Sequence, residues 1–71
     1  MEKRIEEVLI DASRTRQRKE PVERAVGRAV RRRGMDYDAY IAAMSELRDL
    51  ASSLRVDIDE ALKSLQNGEK D

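Results

Sequence analysis

Pro21 and Gly34 bracket a stretch, VERAVGRAVRRR, that has room for one short helix and little else. Proline ends whatever precedes it and fits the first turn of a helix, and glycine is the expected residue just past a helix end. At 100° per residue, Val22, Ala25, Val26, Ala29 and Val30 fall on one side of that helix, and Arg24, Arg28, Arg31 and Arg32 fall opposite them. One face has to find apolar partners. The other is the only surface in the chain with an evident charge preference. The spacing predicts a helix over 21–33 with Glu20 at its N-cap. Gly27 lies in its interior, at about 1 kcal/mol relative to alanine, and either marks the close approach of a neighbour or is simply tolerated.

Three further stretches can supply the apolar partners. Residues 2–19 form the first helix candidate, with Ile5, Val8, Leu9 and Ala12 spaced i, i+3, i+4, i+7. Beyond Ala12 the run SRTRQRK has no large apolar residue and either extends the helix into solvent or frays. Asp36 is a plausible N-cap for a helix over 37–54, whose apolar side holds Tyr37, Tyr40, Ile41, Met44, Leu47, Leu50, Ala51 and Leu54. Tyr40, Leu47 and Leu54 recur every seven residues with Ala43 and Leu50 between them, as in two heptads of a coiled-coil seam, but packing within one bundle predicts the same spacing and is the favoured reading. Tyr40, Met44, Leu47, Leu50 and Leu54 are the candidate interface for a second copy or a partner. A last helix is predicted over 58–67, with Asp57 at its cap, Glu60 three residues on, and Ala61, Leu62 and Leu65 on its apolar side. Residues 68–71 read as a polar tail. The expectation is an all-α single domain over 1–71, a small three- or four-helix bundle centred on the third helix. A core this small favours dimerisation.

The segment DLASSLRVDIDEALKSL, from Asp49 to Leu65, resembles the helix-turn-helix of many bacterial and archaeal regulators. Ala51 lies inside the first helix, Leu54 precedes the turn, Val56 is within it, and Ala61 and Leu65 anchor the second helix. The resemblance covers seventeen residues and implies that the second helix would enter a DNA groove. Two departures count against that role. Arg55 stands where glycine is usual, and Asp57, Asp59 and Glu60 would present three negative charges to phosphate. The segment is read as a packing motif.

Composition removes whole classes of chemistry. The 71 residues include no Cys and no His, so there is no disulfide, no thiolate zinc site and no Ser/Cys–His nucleophile pair. Alternating acids at Asp57 and Asp59 lack the glycine and distal glutamate of a calcium loop. No metal, no cofactor and no enzymatic activity are expected. No apolar run has the length of a membrane span, and MEKRIEEVLIDAS carries charges within its apolar stretch, so a cytoplasmic location is expected.

Net charge is zero, but it is divided. Residues 1–34 hold eleven Lys/Arg against six Asp/Glu, and residues 35–71 hold four against nine. The candidate binding residues are Arg24, Arg28, Arg31, Arg32 and Arg33, extended upstream by Arg14, Arg16, Arg18 and Lys19. Guanidinium forks suit phosphate oxygens, and each phosphate neutralised releases counterions. No aromatic residue lies among these cations in the sequence, and the only amide neighbour is Gln17, so neither base stacking nor bidentate base readout is expected. The leading expectation is a non-enzymatic protein that binds DNA or RNA by backbone contact. The alternative is a protein–protein module, such as an adaptor, inhibitor or antitoxin-like partner, whose basic stripe meets an acidic protein surface.

Overall fold

The computed structural model describes residues 3–68 and the side chains of all but the last two of these. Four helices carry that span: α1 (Lys3–Thr15), α2 (Val22–Arg32), α3 (Tyr37–Leu54) and α4 (Ile58–Gly68). No strand occurs among the described residues. The protein is a small helical bundle in which every helix touches every other. The expected helix start at Glu2 and the tail over 69–71 lie outside the described residues.

The apolar stripes read from the sequence are the faces that meet. Ile5, Val8, Leu9 and Ala12 of α1 are buried, as are Val22, Ala25, Val26, Ala29 and Val30 of α2. From α3 come Ala39, Ala43, Met44, Leu47 and Ala51, and from α4 come Ala61 and Leu62. Seven of these sixteen residues are alanine. Small side chains let the helix axes approach closely, and they leave the filling of the core to a few large ones: Leu9, Met44, Leu47, Leu62, Val8 and Val26. The most widely contacted helix is α1, not α3 as the sequence suggested. The reason lies in α3 itself. Its longer apolar sector is only partly covered, leaving Tyr37 71%, Ile41 47% and Leu54 48% exposed.

Local chemistry sets the helix ends. Asp36 caps α3 as expected, its carboxylate accepting the N–H of Ala39 at 3.2 Å. Asp57 caps α4, accepting the N–H of Glu60 at 2.9 Å. Past α2, Gly34 adopts φ +66°, and two bonds close a Schellman motif, Gly34 N–H to Arg31 O at 3.0 Å and Met35 N–H to Val30 O at 3.0 Å. The same motif ends α3, with Arg55 at φ 60° in the left-handed position that glycine usually holds.

Two boundaries differ from the sequence reading. The first helix stops at Thr15, four residues short of Lys19. Ser13 and Thr15 donate their hydroxyls back to the carbonyls of Ile10 and Asp11, and with no apolar side chain beyond Ala12 nothing draws the next turn onto the core. The chain then turns through Lys19 at φ 67°. Pro21, not Glu20, is the N-cap of α2; its carbonyl accepts the N–H groups of Arg24 and Ala25, and the Glu20 side chain is engaged elsewhere.

Gly27 is a position where the sequence left a choice. A Cβ placed there would meet Arg31 Nη1 at 3.7 Å and Tyr40 Cε1 at 3.9 Å, which is ordinary contact. Alanine therefore fits, and it removes the entropic cost of glycine in a helix. Gly27→Ala is expected to stabilise the fold by about 1 kcal/mol, raising Tm by roughly 4–8 °C for a domain of this size. A thermal melt showing a lower Tm would mean that the α2–α3 contact is tighter than these distances indicate.

Candidate nucleic-acid interface

The basic residues singled out in the sequence do not act as one stripe. The fold divides them into cations that hold the bundle together and cations that it leaves to solvent.

Arg28 belongs to the first group. It lies on the flank of α2 that faces the end of α1. Its guanidinium donates to the Thr15 carbonyl at 3.0 Å, satisfying an acceptor that the end of α1 would leave open. It also pairs with the Glu20 carboxylate through both nitrogens. Glu20 accepts the Gln17 N–H at 3.0 Å as well, so this carboxylate ties the connecting loop to α2. The Arg28 hydrogen bond, and after it the Gln17 N–H, hold the Glu20 carboxyl down at about 2, from an ordinary value of 4.5. The same pairing raises Arg28 above its ordinary value.

Arg16 donates to the Glu20 carbonyl at 2.8 Å and pairs with Asp59 at the start of α4. That hydrogen bond lowers the Asp59 carboxyl. Arg32 reaches Asp11 at 3.5 Å, and Arg33 reaches Glu7 at 3.4 Å and Asp11 at 3.6 Å. Arg14 shares a shallow groove with Glu7, Asp11 and Arg33. The acids along α1 and at the head of α4 thus draw in much of the positive charge that the sequence displays as a run.

A pH dependence follows from Glu20. Its folded-state carboxyl lies below the ordinary value, so its stabilising effect is present above about 4.5 and is lost as pH falls from there toward 2. Tm is expected to fall across that window. Glu20→Gln should lower Tm at neutral pH and flatten the acid-side decline, with Asp59 supplying what slope is left. Melts of both proteins between pH 2 and 7 that ran parallel would show that the Glu20–Arg28 pair does not couple to folding.

Four candidate cations remain without an ion pair among the described residues: Arg18, Lys19, Arg24 and Arg31. All four are exposed. Arg18 and Lys19 line a groove of about 330 Å³ between the α1–α2 loop and α4, together with Arg16, Gln17, Lys63 and Gln66. Its one acid is Asp59, which Arg16 holds. Lys63 was not a sequence candidate. It lies in the acidic half of the chain, and only the folding of α4 against the loop brings it to the basic cluster. Its contact to Glu60 is long, 3.9 Å, between two well-exposed side chains.

Arg24 and Arg31 line a second groove, of about 500 Å³, between α2 and α3. Gly27, one turn from each, forms part of it, and across it stand Tyr37 and Tyr40. The two rings stack at 5.8 Å between centroids and 25° between planes. The expectation that no aromatic accompanies the cations is therefore corrected: the tyrosines are distant in sequence but share a groove with Arg24 and Arg31. The spacing of Arg24, Gly27 and Arg31 along one helical line was the available signal, since a glycine between two arginines leaves a gap that the next helix can fill.

The candidate interface on α3 is also redistributed. Met44 and Leu47 are buried in the chain's own core at 2% and 0% exposure and cannot face a partner. Tyr40 and Leu50 are half-buried against that core, and only Leu54 is exposed. Tertiary packing within one chain uses the heptad spacing. No helix among the described residues is long and apolar enough to cross a membrane. No protein-family model, curated protein or solved structure matches the chain, so the arrangement of these side chains is the ground for any functional reading.

Proposed function

We propose that this bundle binds nucleic acid through its phosphates, as a non-enzymatic protein. The contacts come from Arg18, Lys19 and Lys63 around the loop groove and from Arg24 and Arg31 on α2. The observation that carries the proposal is the loop groove. Four cations line it, its single acid is already held by one of them, and two amide side chains can donate beside them. Arg28, which the sequence ranked with these, is engaged with Glu20 and Thr15 instead, and Arg32 and Arg33 lie beside Glu7 and Asp11.

Five phosphate contacts on a duplex imply a log K against log salt slope of about −4.5, so raising salt from about 50 to about 200 mM should weaken binding roughly 500-fold. On a single strand the slope is shallower, about −3.5. Salt titrations with duplex DNA, duplex RNA and single strands measure this directly. Absence of binding to all three at about 50 mM would remove the proposal. Under the protein-module alternative the same cations would meet an acidic protein surface, and a stoichiometric protein that stays bound through nuclease treatment would be the finding in its favour.

A further inference from the structure

Both aromatic rings of the chain lie in the groove that holds Arg24 and Arg31. We infer that this groove receives one unstacked base of a single-stranded nucleic acid, stacked on Tyr37, with the adjoining phosphates against Arg24 and Arg31. The inference rests on the phosphate-binding reading above and makes it specific to single strands.

The geometry is that of a braced platform. Tyr37 is 71% exposed, yet it is not loose, because one face of its ring stacks on Tyr40, and Tyr40 in turn packs against the core. Most of the Tyr37 side chain remains open to solvent. A ring held from behind in this way loses little freedom when a base stacks on it. Bases of any kind present a π-face, so such a platform tolerates sequence while requiring that the base leave its duplex. The groove volume of about 500 Å³ falls within the usual range for small planar ligands, and Gly27 keeps the α2 wall low where the two helices face each other.

Charge selects the occupant. Two acids line the groove, Asp36 and Glu23. The Asp36 carboxylate accepts the Ala39 N–H at the start of α3. Glu23 and Asp36 balance the two guanidiniums in formal charge, but neither forms an ion pair with Arg24 or Arg31 among the described residues, so both guanidiniums keep their donors open. A neutral or cationic aromatic would gain the ring contact but leave both guanidiniums unmatched. A base joined to phosphates on either side satisfies rings and cations together.

The test compares oligomers of about twelve nucleotides, within the usual site sizes for single-strand binders: thymidylate, uridylate and an abasic chain with the same phosphates. The chain has two tyrosines and no tryptophan, so intrinsic fluorescence reports on this groove alone. Thymidylate or uridylate should bind about tenfold more tightly than the abasic chain and quench the tyrosine emission. The ratio between the two polymers tells whether deoxyribose or ribose is preferred. Tyr37→Ala should bring the base-containing oligomers down to the abasic level and leave abasic binding unchanged, and Tyr37→Phe should retain the difference. Gly27→Leu, a helix-favouring change that fills the groove, should act like Tyr37→Ala. Equal binding of abasic and base-containing oligomers by the native protein would overturn the base site while leaving phosphate binding in place. Binding of none of them would overturn both.

Discussion

Leu9→Ala is expected to remove about half of the bundle's stability. Leu9 is fully buried on α1, the helix that contacts the other three most widely. A buried Leu→Ala substitution typically costs about 3–5 kcal/mol, the transfer of the side chain plus the cavity left behind. A chain of 71 residues has roughly 4–10 kcal/mol in total. The alanine-rich core sharpens the effect, since its neighbours have few long side chains that could swing into the gap. Ile41→Ala is the matched control. Ile41 is similar in size but 47% exposed on the outer face of α3, and its truncation should cost well under half as much. Urea unfolding of both variants gives the comparison. The same experiment run over a range of protein concentrations addresses oligomer state, because a dimer-dependent fold has a concentration-dependent midpoint. Comparable losses for the two variants would mean that the outer face of α3 is covered in solution by a second copy.

The fold was legible because its apolar residues keep helical period. All five apolar positions of the Pro21–Gly34 stretch and the four stripe positions of α1 are buried as the spacing predicts, while Ile10, off the stripe, is half-buried. Asp36, Asp57 and Gly34 mark helix ends by mechanisms that act within a few residues, so a single sequence suffices to see them. What the sequence hid is non-local. Whether Arg28 faces solvent or the end of α1 depends on how α2 lies against α1, and no local pattern encodes that. The i, i+4 and i, i+7 geometry shared by Arg24, Arg28 and Arg31 gives no hint that Arg28 has a carboxylate and a carbonyl waiting for it while Arg31 has neither. Lys63 and the tyrosine pair reach the cations only through the closure of the bundle. The heptad on α3 was ambiguous for a related reason: an intramolecular bundle and an intermolecular coil ask for the same spacing.

Reversing the loop-groove cations separates binding from folding. The triple variant Arg18→Glu, Lys19→Glu, Lys63→Glu removes three assigned phosphate contacts from a surface that carries no core residue. Through counterion release, each contact to a duplex is worth about 15-fold at 50 mM relative to 1 M salt, so three of them amount to a loss on the order of 3,000-fold, and repulsion adds to it. The salt slope should shallow by about 2.7. Helicity by circular dichroism should stay near that of the native protein. Arg28→Ala is the contrasting variant, because its guanidinium closes the end of α1 and holds Glu20. It should lower Tm and leave the salt slope unchanged. Fluorescence anisotropy against salt, with a melt for each variant, reads out both quantities. The opposite pattern, a steep slope retained by the triple variant and lost in Arg28→Ala, would place the binding surface on the outer face of α2 and make the Arg28–Glu20 pair something that nucleic acid displaces.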